Sequence, residues 1–285
     1  LGRNNYQAYT REMDVKAATR VELENDLRSA LDKDQFKLLF QPRTSLQTGK
    51  VTGAEALLRW QHPQWGVLPP AEFLPLLEES GMINQVGAWI MTEACKQNKA
   101  WQQQGLVPIT VSVNVSARQI QNGALVETVA QALAESGLEA KYLELELTEE
   151  HITQNIENSD RVLDSLRQMG VHLASDDFGT GLSSLSFLQR FPIGSVKIDT
   201  SCTTELPHSR QSSSMALAVI AMAHSLNLRV VAEGVETPEQ LNFLNIHGCD
   251  EVQGLLVCEP VAADKLEALL RNPGDDALKV AHARN

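Results

Sequence analysis

Eight short apolar runs of β-forming residues recur along this chain, and between most of them lies a longer stretch with a helical period. The runs are 36–40, 51–58, 109–115, 143–147, 171–174, 195–198, 228–232 and 251–257. The helical stretches are 71–104 (read as two helices), 117–136, 156–169, 183–190, 210–226 and 237–247, with a last one at 262–271. Upstream, Arg20 to Leu31 reads as an amphipathic helix, apolar at Val21, Leu23, Leu27, Ala30 and Leu31. Eight strands alternating with helices predict an α/β fold, a (β/α)8 TIM-type barrel, with its active site at the C-terminal ends of the strands.

Each run carries a polar residue within it or just after it: Gln41, Glu55, Asn114, Glu146, Asp176 with Asp177, Lys197, Glu233 and Gln253. A single one reads as a solvated strand end. Their repetition over eight runs points instead to a ring of oxygen donors with one lysine, because buried barrel strands are otherwise apolar. Asp176-Asp177 opens a Gly-rich loop. In mid-strand two adjacent carboxylates face opposite sides, but at a strand's end the chain can turn and aim both at one cavity. Two carboxylates held close require a raised pKa or a cation.

The chain has 285 residues, enough for one large barrel, and a net charge of −12 from 24 basic and 36 acidic residues. This balance disfavours a nucleic-acid polymer as partner, which needs a basic footprint. No apolar run approaches the ~20 residues of a membrane span. Cys95, Cys202, Cys249 and Cys258 form no CxxC pair, so reduced thiols and a cytoplasmic domain are expected. The seven histidines show no HExxH spacing, which argues against a zincin-type site.

The donor set Glu55, Asn114, Glu146, Asp176, Asp177 and Glu233 suits Mg²⁺ or Mn²⁺. Five carboxylates around one divalent ion leave excess negative charge, so two ions fit better, with Asp176 as bridge. Two ions about 3.5–4 Å apart stabilise the attacking and leaving oxygens of a phosphoryl displacement. Lys197, lowered in pKa among cations, orients or deprotonates a water; the plain alternative is a salt bridge to Asp199 or to the acids. Arg59 can clamp a phosphate or stand as a surface arginine. Glu149 can cap the amides of the glycine loop or act as a helix N-terminal acid.

Taken together, Glu55-Ala56-Leu57-Leu58-Arg59, Ser112-Val113-Asn114, Glu146-Leu147-Thr148-Glu149, Asp176-Asp177-Phe178-Gly179-Thr180-Gly181, Lys197-Ile198-Asp199, Glu233-Gly234-Val235-Glu236 and Gln253-Gly254 resemble the EAL-domain cyclic-di-GMP phosphodiesterases. The resemblance implies a bacterial enzyme that cuts cyclic di-GMP to linear pGpG, on a barrel whose first strand is antiparallel. It implies first-metal ligands at Glu55, Asn114, Glu146 and Asp176, and second-site ligands at Asp176, Asp177 and Glu233. Lys197 matches the water-activating lysine, and Gln41, Leu58, Arg59 and Gln253 match substrate-contacting positions. Glu149 matches the residue that holds the loop from Asp176 to Ser183, and Asp199 and Glu236 support the site from behind. A homodimer through the barrel and upstream GGDEF or sensory domains in the full-length protein are implied as well, while membrane anchoring of that protein is left open by the sequence. Leu1 to Tyr6 resembles the end of a GGDEF domain, so the expected division is 1–20 linker, 21–272 barrel and 273–285 flexible tail.

The chain departs from the family at Leu182 and Leu255, where tyrosine is common, at Thr200-Ser201-Cys202 and at Cys258-Glu259-Pro260. None of these removes a matched ligand. A non-catalytic cyclic-di-GMP receptor is the alternative, and the intact ligand set argues against it. An enolase-like barrel needs a capping domain that the roughly 35 residues before the first strand cannot form. Asp177-Phe178-Gly179 alone does not make a protein kinase, because no HRDxxxxN or VAIK context accompanies it.

Overall fold

The computed structural model describes residues 11–153, 156–179 and 185–271, with side chains from Arg20 onward. Its strands are β1 (Phe36–Ser45), β2 (Val51–His62), β3 (Gly66–Leu68), β4 (Thr110–Asn114), β5 (Leu143–Thr148), β6 (His172–Phe178), β7 (Ser195–Ile198), β8 (Arg229–Ala232) and β9 (Glu251–Val252). Its helices are α1 (Arg11–Ala30), α2 (Pro70–Ser80), α3 (Ile83–Gln103), α4 (Ala117–Gln121), α5 (Leu125–Ser136), α6 (Glu149–Thr153), α7 (Ile156–Met169), α8 (Leu185–Arg190), α9 (Thr200–Thr203), α10 (Arg210–Ser225), α11 (Pro238–Ile246) and α12 (Ala263–Arg271).

The barrel closes through β1, which pairs with both β2 and β9. Both pairings are antiparallel, whereas β2, β4, β5, β6, β7, β8 and β9 pair in parallel in that order. The ring therefore has eight strands, and β3 hangs outside it as a hairpin on β2. The short β1–β2 connection cannot make a parallel crossover, which needs a dozen or more residues; reversal of β1 follows.

Several boundaries differ from the sequence reading. Helix α1 starts at Arg11 rather than near Arg20, since residues 11–19 contain no glycine or proline and include strong helix formers. The stretch 117–136 splits at Gly123, whose φ of 70° stops α4. β6 runs on to Phe178, and the eighth run forms ladder only at Glu251–Val252. Residues 183–184 of one helical stretch and the tail beyond 272 lie outside the described residues. All four cysteines are free thiols. Among the described residues no helix is long and apolar enough to cross a membrane.

Period-two alternation gives the barrel interior two polar layers. The upper one holds the ring residues. Two positions away along the strands stand Arg43, Gly53, Ser112, Glu144, Ser195 and Glu251, which form the lower layer. Arg43 and Glu144 are fully buried and pair at 2.5 Å, and Arg43 Nε lies 3.0 Å from Glu251. Ser195 donates to Glu144 at 3.1 Å, and Arg229 approaches both acids at 3.7 Å. Arg43 pairs in register with Gly53, where a Cβ would stand 2.5 Å from its Nε. Glycine there makes room for the guanidinium to cross the lumen.

Burial pushes the Glu144 carboxyl up, but the charge and hydrogen bond of Arg43 outweigh it and hold the group below its ordinary value. A depressed folded pKa gives stability that is present above the unfolded value, about 4.3, and lost as pH falls through the folded one. Arg43→Met is expected to cost about 3–5 kcal/mol at pH 7, because it strands two buried carboxylates. Urea unfolding checks this, and the deficit should shrink as pH falls below about 4. A neutral effect at pH 7 would remove this layer from the account of stability.

Candidate active site

Lys197 is buried near the end of β7, and its ammonium is the point on which the upper layer converges. Nζ lies 2.5 Å from Glu233, 2.6 Å from Glu146, 3.3 Å from Asp176 and 3.4 Å from Glu55. These four acids come from the ends of β8, β5 and β6 and from within β2. Asp199 is not among these partners: it caps α9, accepting from the Ser201 amide at 2.9 Å.

The acid carried by β2 is also held by amides. Asn114 donates to Glu55 at 2.7 Å and Gln253 donates to it at 2.6 Å. Gln253 also reaches Gln41 at 3.2 Å, and Gln41 donates to the Cys258 carbonyl at 3.1 Å. Gln41 faces Glu55 in register because β1 is reversed, so it serves the upper layer from mid-strand rather than from a strand's C-terminal end. Gly254 lets the chain after β9 press against Val235, since a Cβ would sit 2.2 Å from the Val235 amide nitrogen. That contact holds Gln253 beside the end of β8.

Asp176 and Asp177 reach the site through a break in β6. Its register against β7 shifts between Ser175 and Phe178, and Asp177 takes a left-handed φ of 54°. The turn expected at the strand's end is thus a bulge, and both carboxylates line one cavity. Asp177 sits above its ordinary pKa, chiefly through burial, then through repulsion from Asp176 and Asp199, with Lys197 and His151 pulling the other way.

Four carboxylates around one ammonium leave surplus negative charge. For Glu55 the charge of Lys197 and the two amide donors outweigh burial, and its carboxyl lies below the ordinary range. Glu146 is pushed well up by burial and then by Glu55, and Glu233 is pushed up to about 7 by burial and then by Asp176. Lys197, despite burial, is held well above its usual value by the surrounding acids. The lowered lysine pKa expected among cations belongs to a cation-loaded site, whereas bare carboxylates hold the ammonium charged. Oε1 of Glu146 is buried without a hydrogen-bond partner, and Oδ1 of Asp176 is buried with only its 3.3 Å ion pair to Lys197. Among the described residues no three His, Cys, Asp or Glu side chains already surround a metal position, since Lys197 occupies their centre.

Two cavities flank this centre, each of about 260 Å³. One is lined by Gln41, Glu55, Asp176, Lys197, Glu233 and Gln253, with Glu236 and Leu255 at its edge. The other runs from Glu146, Asn114 and Asp177 past Leu58 to α2 and α3. Arg59 lies inside β2 rather than beyond it, and its guanidinium folds back on the Leu58 carbonyl at 2.8 Å. Glu149 is the first residue of α6, and the expected tie to the loop at 180–184 lies outside the described residues. Sequence reasoning missed His151 and the α2–α3 wall, and it gave Thr200 and Gly234 no role in the site beyond a departure and a motif. These residues carry no polar periodicity of their own and become site residues only once the barrel closes.

The EAL-domain profile matches residues 24–260. The chain is 43% identical over 270 residues to the cyclic di-GMP phosphodiesterase NbdA of Pseudomonas aeruginosa, covering 95% of this chain and 34% of NbdA. It is 41% identical over 267 residues to the bifunctional diguanylate cyclase/cyclic di-GMP phosphodiesterase MucR of the same organism, covering 94% of this chain and 39% of MucR. The chain thus spans between a third and two fifths of the length of these relatives. A solved structure of the PaMucR phosphodiesterase in complex with cyclic di-GMP superposes with a TM-score of 0.83 at 42% identity, covering 86% of this chain and 99% of that one. With that match running through the strands that carry the lysine and its acids, the chain belongs to the EAL-domain family.

Proposed function

We propose that this protein hydrolyses cyclic di-GMP to linear 5′-pGpG with two divalent cations, Mg²⁺ or Mn²⁺. The observation that carries the reading is the convergence of Glu55, Glu146, Asp176 and Glu233 on Lys197 between two open cavities. The donors fit such ions: all are oxygens, they carry surplus negative charge, and one buried oxygen, Oε1 of Glu146, has no hydrogen-bond partner. Glu55, Asn114, Glu146 and Asp176 would hold the first cation, and Asp176, Asp177 and Glu233 the second. When bound, the pair supplies stabilisation of the attacking and leaving oxygens of the phosphoryl transfer.

Lys197 orients the attacking water or takes its proton. The water oxygen bonds to phosphorus and the P–O3′ bond breaks, which leaves a 5′-phosphate and a 3′-hydroxyl. Gln41, Gln253, Leu58 and Arg59 hold the substrate across the two cavities, and Glu149, Asp199 and Glu236 keep the loops in place. The proposal includes a homodimer through the barrel face near α8 and α10, where Leu185, Met215 and Leu217 are exposed. It also includes a cytoplasmic setting and division into a linker at 1–20, a barrel at 21–272 and a tail at 273–285, downstream of GGDEF or sensory domains.

Glu55→Ala is expected to abolish hydrolysis through metal loss, seen as lost Mn²⁺ binding by calorimetry; wild-type turnover would sink the ligand assignment. Lys197→Ala is expected to lower kcat by at least about 100-fold while metal and cyclic di-GMP still bind. Near-normal kcat would remove Lys197 from the chemistry. Excess Ca²⁺ is expected to inhibit, because it accepts more ligands in looser geometry than Mg²⁺; steady-state rates in mixed-metal buffers check this, and rates unchanged by calcium would count against the site. Binding of cyclic di-GMP without any pGpG from the wild-type protein would favour the receptor alternative.

A further inference from the structure

The chemistry above leaves His151 unused. It is the third residue of α6, which begins directly after β5, and its amide donates to Thr148 Oγ1 at 3.3 Å. Its Nδ1 lies 3.1 Å from the Val115 carbonyl oxygen. A carbonyl can only accept, so Nδ1 carries the proton and, in the neutral ring, Nε2 is an acceptor. The half-buried ring lines the cavity that also contains Asn114 and Asp177, whose opposite wall is apolar at Leu58, Leu74, Ile83 and Ile90. A largely apolar slot that carries this fixed acceptor, with the Glu78 carboxylate also in its lining, matches a flat heteroaromatic ring that presents N–H groups along one edge.

We infer that His151 is a specificity-determining residue that accepts a hydrogen bond from the Watson–Crick edge of a guanine of the substrate; this rests on the cyclic di-GMP reading above. Guanine offers N1–H and the 2-amino group on that edge, whereas adenine places the N1 acceptor there, which the imidazole lone pair repels, and carries its one donor, the 6-amino group, where guanine has O6. The base faces lie along Leu58 and Ile90, and the phosphodiester reaches back past Asn114 to the acids. Anchoring of Nδ1 on Val115 fixes the tautomer, so the acceptor is set before the ligand arrives.

Two variants separate this role from a structural one. In His151→Asn the side-chain amide can keep the Nδ1 bond to Val115 but reaches no further. In His151→Gln the amide reaches the Nε2 position and gives up the anchor. The expected result is a KM for cyclic di-GMP raised about tenfold in His151→Asn, the size of one lost hydrogen bond, with kcat changed less than about twofold. His151→Gln should return to within about threefold of wild type. A wild-type KM in His151→Asn, or equal losses in the two variants, would overturn the assignment. If the wild-type protein hydrolyses nothing, the proposed function falls, and the same comparison by calorimetric binding of cyclic di-GMP in calcium still decides the role of His151.

Discussion

The ammonium of Lys197 inside a cage of four carboxylates is the interaction on which the rest of the site depends. Like charges a few ångströms apart cost about 4 kcal/mol per pair at an effective dielectric near 20. One ammonium cannot offset four such groups. The protein by itself relieves the surplus by favouring protons on Glu146 and Glu233. Divalent cations would relieve it more fully and would release Lys197 from its acids toward the substrate side. The same residues thus form the lysine-centred acid cluster of the structure and suit the cation-loaded hydrolytic centre proposed above.

That cluster needs a closed barrel to hold it. The acids come from strands far apart in sequence, and only the ring of eight strands brings them within reach of one nitrogen. The reversed β1 contributes twice. Its earlier half sets Gln41 against Glu55, and its later half sends Arg43 into the lower layer. There Arg43, with Arg229, neutralises Glu144 and Glu251, which are buried two residues before Glu146 and Gln253 on the same faces. The lumen is therefore electrostatic along its length: a balanced ion cluster below and an acid-rich one above. The contrast in charge balance separates the part that supports from the part proposed to react.

Much of this was legible in the residues. Strand–helix alternation fixes the barrel, and a polar residue at each run fixes the ring, because burial would otherwise demand apolar side chains there. The lower layer was also present in the sequence, in Leu143-Glu144-Leu145-Glu146-Leu147, where two acids share one face at a spacing of two. The sequence does not reveal its role, because Arg43 gains meaning only opposite Gly53, a pairing that β1 reversal creates. Periodicity cannot report the direction of a strand; that came from the resemblance. His151 and the α2–α3 wall were invisible for a different reason. A lone histidine and ordinary apolar helix faces have no pattern until the connections after β3 and β5 place them around a cavity.

The central claim is that the acids around Lys197 form a centre that adds water across a phosphodiester. Hydrolysis of cyclic di-GMP in ¹⁸O-water with Mg²⁺ or Mn²⁺, followed by mass spectrometry of the product, tests it most directly. The account predicts linear pGpG carrying one ¹⁸O in its 5′-phosphate. Recovery of intact cyclic di-GMP bound to metal-loaded protein would contradict it.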